Sequence, residues 1–174
     1  MRERVILIAL GANLPSSAGP PAETLGAALR TLAQRNVAVR AVSPFYRSTA
    51  WPDPSDPEFV NAVATVNTEL SPIELLVLLK DVERVFGRGS TERNAPRSLD
   101  LDILDYNRQV ETGPPILPHP RLHERGFVLI PLRDVAPDWI HPVSGIPVDA
   151  LIKSLPPGTR VITKLDGQVR ADRT

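Results

Sequence analysis

The stretch "SLDLDIL" (98–104) sets Asp100 and Asp102 two residues apart between Leu99, Leu101 and Ile103. In an extended chain, residues two apart point the same way and their Cα atoms lie about 6.5 Å apart. The three apolar residues then form one buried face and the two carboxylates share the other. Side by side, like charges resist ionising together. A divalent cation resolves that conflict, and magnesium takes one or two carboxylates and completes its shell with waters and substrate phosphates. Two metals roughly 3.5 to 4 Å apart can be bridged by such a pair. The alternative is a solvated strand face on which the acids pair with arginines.

Arg84, Arg88, Arg93 and Arg97 precede the acid pair. Read plainly, they decorate a helix end and a polar loop. Read with the acids, they are cations facing a metal site, which suits phosphoryl transfer, a chemistry of charge neutralisation and positioning. Further on, "LPHPRLHERGF" places His119 between two prolines that restrict its backbone. So held, its ring is able to donate to phosphate oxygens or to be an ordinary loop residue. Arg121 and Arg125 follow about one helical turn apart. His123 and His141 have no evident chemical partner and read as structural. Phe59 and Asn61 share one face of the alternating "EFVNAVATVNTE". An aromatic plate beside an amide suits a flat heterocycle, with Phe127 as an opposing plate; core packing is the competing reading for all three. Glycine-rich nucleotide cradles, HExxH and GxSxG are absent from the sequence.

These residues need elements to hold them. "VILIAL" reads as a strand buried on both faces (4–11) and 22–34 as an amphipathic helix. Residues 37–47 read as one strand and 58–69 as its hairpin partner. Ser71, Pro72 and Glu74 spell the capping box of a second helix, with Ile73, Leu75, Leu76, Leu79, Val82 and Phe86 on its buried side and Gly87 closing it. The aspartate strand follows, and then a short helix near 127–135. The order β-α-β-β-α-β predicts an α+β fold, a ferredoxin-like two-layer sandwich with helices on one face and the other face left for loops and ligands.

Bulk properties bound the rest. The 174 residues, 42% hydrophobic, suit one domain with a core at about 4–142 and a peripheral C-terminal extension at 143–174. Cysteine is absent, which removes thiolate chemistry and leaves the cytoplasm as the expected compartment. No apolar run reaches the roughly 20 residues of a membrane span. The formal net charge is zero. That argues against nucleic acid as a partner, although an RNA-binding module on the same sandwich is one rival reading. A metal-dependent phosphohydrolase using the same aspartates is another.

The motifs "ALGANL" (9–14), "VSPFYRS" (42–48), "FVNAV" (59–63), "ELLVLLKDVERVFGR" (74–88), "PRSLDLDIL" (96–104) and "LPHPRLHERGFVLIPLRDVAP" (117–137) together resemble the 6-hydroxymethyl-7,8-dihydropterin pyrophosphokinases of folate biosynthesis. The resemblance runs over about 5–142. It implies transfer of pyrophosphate from ATP, as co-substrate, to the hydroxymethyl group of the dihydropterin, with two Mg2+ and small-molecule partners only. The expectation is a monomer working in the cytoplasm. It further implies that Asp100 and Asp102 ligate magnesium, and that Arg88 and Arg97 contact phosphate and act in catalysis. Glu83, His119 and Arg125 would join them at ATP. Phe59 and Phe127 would sandwich the pterin, Asn61 would read its polar edge, and Gly11, Ser48 and Thr49 would lie beside it. Some members carry tyrosine at the position of Phe59, tryptophan at that of Asn94 and arginine at that of Pro114.

Overall fold

The computed structural model describes residues 4–50, 53–87, 96–160 and 162–165. Its main sheet joins β1 (Ile6–Ala12), β2 (Ala38–Val42), β3 (Tyr46–Ser48), β4 (Phe59–Asn67), β5 (Asp100–Tyr106) and β8 (Thr163–Lys164). The order is β5-β1-β4-β3-β8, with β2 also on β4. Every pairing is antiparallel. A small hairpin of β6 (Glu111–Thr112) and β7 (Ile116–Leu117) lies apart.

The predicted strand 37–47 is two strands. Both pair with β4, but the register slips between Val39 and Ala41. It slips again between the pairs Val42↔Ala64 and Tyr46↔Asn61, where four steps on one side oppose three on the other. Pro44, which has no N–H to give the ladder, sits in the second slip. Ser43 bridges it: its N–H donates to the Val63 carbonyl at 2.9 Å and its Oγ accepts the Val63 N–H at 3.0 Å.

Helices α1 (Pro21–Gln34) and α2 (Pro72–Val85) cover one face. The capping box forms as predicted: Ser71 Oγ accepts the Glu74 N–H at 3.4 Å, and Glu74 Oε2 accepts the Ser71 N–H at 2.8 Å. Gly87, at φ +86, takes the left-handed conformation that ends the helix. Ile6, Ile8, Leu10, Leu99, Leu101 and Ile103 meet Leu25, Leu32, Leu75, Leu79 and Val82 in this layer. Ile73 departs from expectation: it is 46% exposed on the outer side of α2.

The opposite face is less open than the sequence suggests. Helices α3 (Gly126–Val135) and α4 (Val148–Ser154) pack over part of it. Leu7, Val63 and Leu104 of the sheet join Leu122, Leu129, Leu132, Trp139, Val148, Leu151 and Leu155 in a second apolar cluster. Val148, Leu151, Ile152 and Leu155 are therefore part of the core, where the extension was expected to be peripheral. What stays uncovered on this face is the end of the sheet where β1 exits, β4 begins and β5 begins. No described helix is long and apolar enough to cross a membrane.

Candidate active site

That uncovered end opens into a cleft of about 850 Å3. Eleven of the thirteen residues to which the resemblance gives a site role line it: Gly11, Ser48, Thr49, Phe59, Asn61, Arg97, Asp100, Asp102, His119, Arg125 and Phe127. Arg88 and Asn94 lie outside the described residues. Glu83 does not line the cleft; its place is below the floor.

The strand register explains the convergence. Gly11 stands between Asp100 on β5 and Asn61 on β4. Asn61 stands in turn opposite Tyr46, and Phe59 opposite Ser48, on β3. The acids on β5 and the amide and aromatic plate on β4 thus share one face with β1 between them, two strand spacings apart at about 4.8 Å each. Gly11 matters for its missing side chain. A β-carbon there would stand 3.4 Å from Asn61 Oδ1 and 3.9 Å from Phe59 Cδ1.

At the acidic end, Arg97 Nη1 donates to Asp100 Oδ1 at 2.9 Å. Asp102 is the more perturbed acid. Burial first, and then the Asp100 charge, push its carboxyl up to about 6, while Lys80 and Arg125 pull the other way. An acid pair with that conflict, facing a cleft, has the hard oxygen donors magnesium prefers. The described residues hold no cluster of three His, Cys, Asp or Glu side chains able to cage an ion by themselves. Two carboxylates that leave most of the shell to water and phosphate fit a magnesium–triphosphate complex.

Glu83 is 1% exposed. Its Oε1 accepts the Leu101 N–H at 2.9 Å and a proton of Lys80 Nζ at 3.1 Å. It fixes the edge strand between the aspartates and steers Lys80, which does line the cleft. Expected beside the nucleotide, Glu83 has its side chain in the layer between α2 and β5, off the lining of the cleft. Lys80 was missed from sequence, where it is one lysine on an amphipathic helix. Its only signal is the i, i+3 spacing to Glu83.

The basic wall opposite comes from the loop before α3. His119 is tied to β5 through its N–H, which donates to the Leu104 carbonyl at 2.9 Å. Its Nδ1 accepts the Arg121 N–H at 3.2 Å, which leaves Nε2 as the protonated, donating nitrogen of the neutral ring. Burial, with Arg125 and Arg121 adding to it, lowers its pKa to about 4. Arg125 Cζ lies 5.6 Å from the Phe127 ring centroid, within cation–π range. Arg121 lines the cleft as well.

At the aromatic end, Asn61 is 5% exposed and its Nδ2 donates to Ser48 Oγ at 2.7 Å. With the nitrogen engaged there, the carboxamide oxygen is on the Gly11 side, the side of the cleft. Asn13 was also missed, although it lies in "ALGANL". It is buried at the exit of β1, accepts the Arg97 N–H at 2.8 Å on Oδ1 and donates from Nδ2 to the Pro57 carbonyl at 3.1 Å. One side chain thereby ties the start of the Phe59 strand to the arginine on the acid pair.

A family model described as 7,8-dihydro-6-hydroxymethylpterin-pyrophosphokinase (HPPK) matches residues 7–137. The 2-amino-4-hydroxy-6-hydroxymethyldihydropteridine pyrophosphokinase of Synechocystis is 39% identical over 151 residues, 86% of this chain and 75% of its own. The protein of the same description from Haemophilus influenzae is 40% identical over 148 residues, 84% of this chain and 89% of its own. Among solved structures, Plasmodium falciparum HPPK-DHPS superposes with a TM-score of 0.66 over 85% of this chain, at 14% identity. This chain spans 40% of that one, and at such identity the likeness is one of fold.

Proposed function

The chain belongs to the 7,8-dihydro-6-hydroxymethylpterin-pyrophosphokinase family, and from this we propose that it transfers the pyrophosphoryl group of ATP to the hydroxymethyl group of 6-hydroxymethyl-7,8-dihydropterin in folate biosynthesis. The pterin hydroxyl oxygen bonds to the β-phosphorus, the bond from that phosphorus to the oxygen bridging to the α-phosphate breaks, and AMP leaves. The hydroxyl proton passes to solvent. One domain, a monomer in the cytoplasm, carries this reaction on small molecules alone.

The observation that carries the reading is the cleft itself, which joins an acid pair ringed by cations to a recess of Phe59, Asn61 and Phe127. Asp100 and Asp102 are the residues to hold two Mg2+. Those ions would neutralise the triphosphate and align it for in-line displacement. Arg97, held by Asp100, together with Lys80, Arg121 and Arg125, supplies positive charge where negative charge develops on the β-phosphoryl group and on departing AMP. Neutral His119 donates to a phosphate oxygen from Nε2. The Asn61 oxygen accepts from an N–H of the heterocycle between the two rings and so aims the hydroxymethyl arm at the phosphates. Positioning of two bound reactants is worth as much as about 7 to 11 kcal/mol of barrier.

The test is an ATP assay with and without pterin and with and without magnesium. AMP formation that requires both supports the reading. Steady phosphate release without pterin would replace it with hydrolysis.

A further inference from the structure

The 3-10 turn Pro157–Arg160 and the strand β8 lie beyond the region matched by the family model, yet they reach the cleft. Gly158, Thr159 and Ile162 line it. The placement comes from the sheet. β8 pairs with β3 through Tyr46↔Lys164 and Arg47↔Thr163. The next step of that register sets Ile162 beside Ser48, and Ser48 is beside Phe59. Ile162 therefore continues, on the edge strand, the row that holds Phe59 and the Ser48 hydroxyl bonded to Asn61. By alternation it shares their face, while Thr163 points the other way with exposed Arg47. The strand is anchored beyond the site, where the Leu165 N–H donates to the Phe45 carbonyl at 2.9 Å and the Leu165 side chain packs against the first core cluster.

Resting on the function proposed above, we infer that Ile162, with Thr159 beside it, forms the outer wall of the heterocycle recess and is a positioning residue for the pterin and not for ATP. The acid pair and β8 stand at opposite edges of the sheet, so this wall is on the side away from the phosphates. An apolar side chain there shields the ring faces and the Asn61–Ser48 bond from water. It limits how far the heterocycle slides from Asn61, and hence how well its hydroxymethyl arm meets the β-phosphorus. Gly158, exposed, has nothing within 4 Å of where a β-carbon would stand.

The test compares wild type with Ile162→Val, Ile162→Ala and Ile162→Glu, with Thr163→Ala as the outward-facing control. Steady-state kinetics are run with each substrate varied, and pterin affinity is read separately by quenching of pterin fluorescence. Trimming a pocket wall changes substrate discrimination by about 10-fold or more. Ile162→Ala is expected to raise KM and Kd for the pterin about tenfold and leave KM for ATP within twofold. Ile162→Val should restore most of the loss, Ile162→Glu should exceed it, and Thr163→Ala should behave as wild type. A thermal midpoint within a few degrees of wild type keeps the comparison on the folded protein, and Ile162→Ala carries the test if Ile162→Glu does not fold. Unchanged pterin constants in Ile162→Ala, or equal shifts for both substrates, overturn the inference and leave the proposed function standing. A wild type that neither binds pterin nor forms AMP from it overturns both.

Discussion

Glu83 Oε1 accepts the backbone N–H of Leu101 at 2.9 Å, and Leu101 is the residue between the two aspartates. A carboxylate on α2 thus holds the backbone between both acids from beneath the cleft, which it does not itself line. Lys80, on the same oxygen at 3.1 Å, is turned toward the cleft by that bond. Glu83→Ala leaves a buried N–H without its acceptor and releases Lys80. The expected cost is about 2 to 4 kcal/mol of stability, with a fall in kcat larger than any change in KM. Glu83→Gln keeps an acceptor for Leu101 and should recover most of the stability. Urea unfolding and steady-state kinetics on the pair of variants check this, and equal stability in Ala and Gln would refute it.

Asp102 couples stability to function. Its carboxyl is raised to about 6 from an ordinary 3.8. A raised carboxylate pKa means that the folded protein holds a proton the unfolded chain has released. The group's stabilising contribution is therefore full below about pH 4 and is lost as pH rises through 6. At pH 8 the metal-free protein carries a strained pair of charges worth roughly 1 to 2 kcal/mol after discounting for partial exposure. Asp102→Asn should therefore stabilise the metal-free protein at pH 8 and much less at pH 4. The same variant should lose the stabilisation that added magnesium and ATP give the wild type, and turnover should fall at least about 100-fold, since each 1.36 kcal/mol of barrier is tenfold. Thermal melts at both pH values, with and without magnesium–ATP, and a turnover assay read all three outcomes.

His119 has the opposite sign. Its pKa is lowered to about 4. As pH falls below 6.5 the unfolded chain takes up a proton that the folded protein refuses, so stability drops between about pH 6.5 and 4. Its partial exposure limits the drop to roughly 1 to 2 kcal/mol. Buried His141, lowered by burial and by His123, slopes the same way. His119→Asn should flatten the slope between pH 6 and 4.5. In the wild type, NMR should show the His119 ring neutral at pH 5.5 with the proton on Nε2. A ring that titrates near 6.5 would contradict both the burial and the bond from Arg121.

How far the sequence carries depends on whether a period is interrupted. Asp100 and Asp102 were legible because strict alternation runs from Leu99 to Ile103, and Gly11 to Asn61 lies in unbroken register between strands. The helix start at Ser71 was legible because its capping chemistry is local. Alternation fails at the breaks: Pro44 splits one strand into β2 and β3, and the register shift between Leu7 and Ile8 in the pairing of β1 with β5 re-aims the side chains after Ile103. Asn13 carries no periodic signal, since it acts through long-range bonds to Arg97 and Pro57, and Lys80 carries only its i, i+3 spacing to Glu83. Ile162 reaches the cleft only because β8 adds to the edge of β3, a pairing that two residues of strand do not announce. The roles of His119, Arg125 and Phe127 come from the resemblance, since the residues alone leave His119 even with an ordinary loop residue and favour solvation for at least one of Arg121 and Arg125 and core packing for Phe127.

Asp105 shows what that shift in register builds. Counted from Leu101 and Ile103, it should point into the helix layer. Opposite Leu7 it points to the other face, fully buried, and its Oδ2 accepts the Trp139 Nε1–H at 2.7 Å while its Oδ1 accepts the Arg108 N–H at 2.9 Å. This bond ties the layer of α3 and α4 to the same strand that carries Asp100 and Asp102. Asp105→Ala strands the buried Trp139 Nε1–H and the part-buried Arg108 N–H and should cost about 3 kcal/mol. Trp139→Phe strands the carboxylate and should cost about as much, because a buried charge then has one bond fewer. Asp105→Leu combined with Trp139→Phe removes both halves of the carboxylate–indole bond, leaves only the Arg108 N–H without its acceptor, and should cost clearly less than the sum of Asp105→Leu and Trp139→Phe made singly. Since α3 carries Phe127 and comes directly after Arg125, the single variants should also raise KM for both substrates, whereas Asp102→Asn acts at the metal end alone. Unfolding energies of the full double-mutant cycle, read with the kinetics, decide it, and simple additivity would show that the two side chains are not coupled.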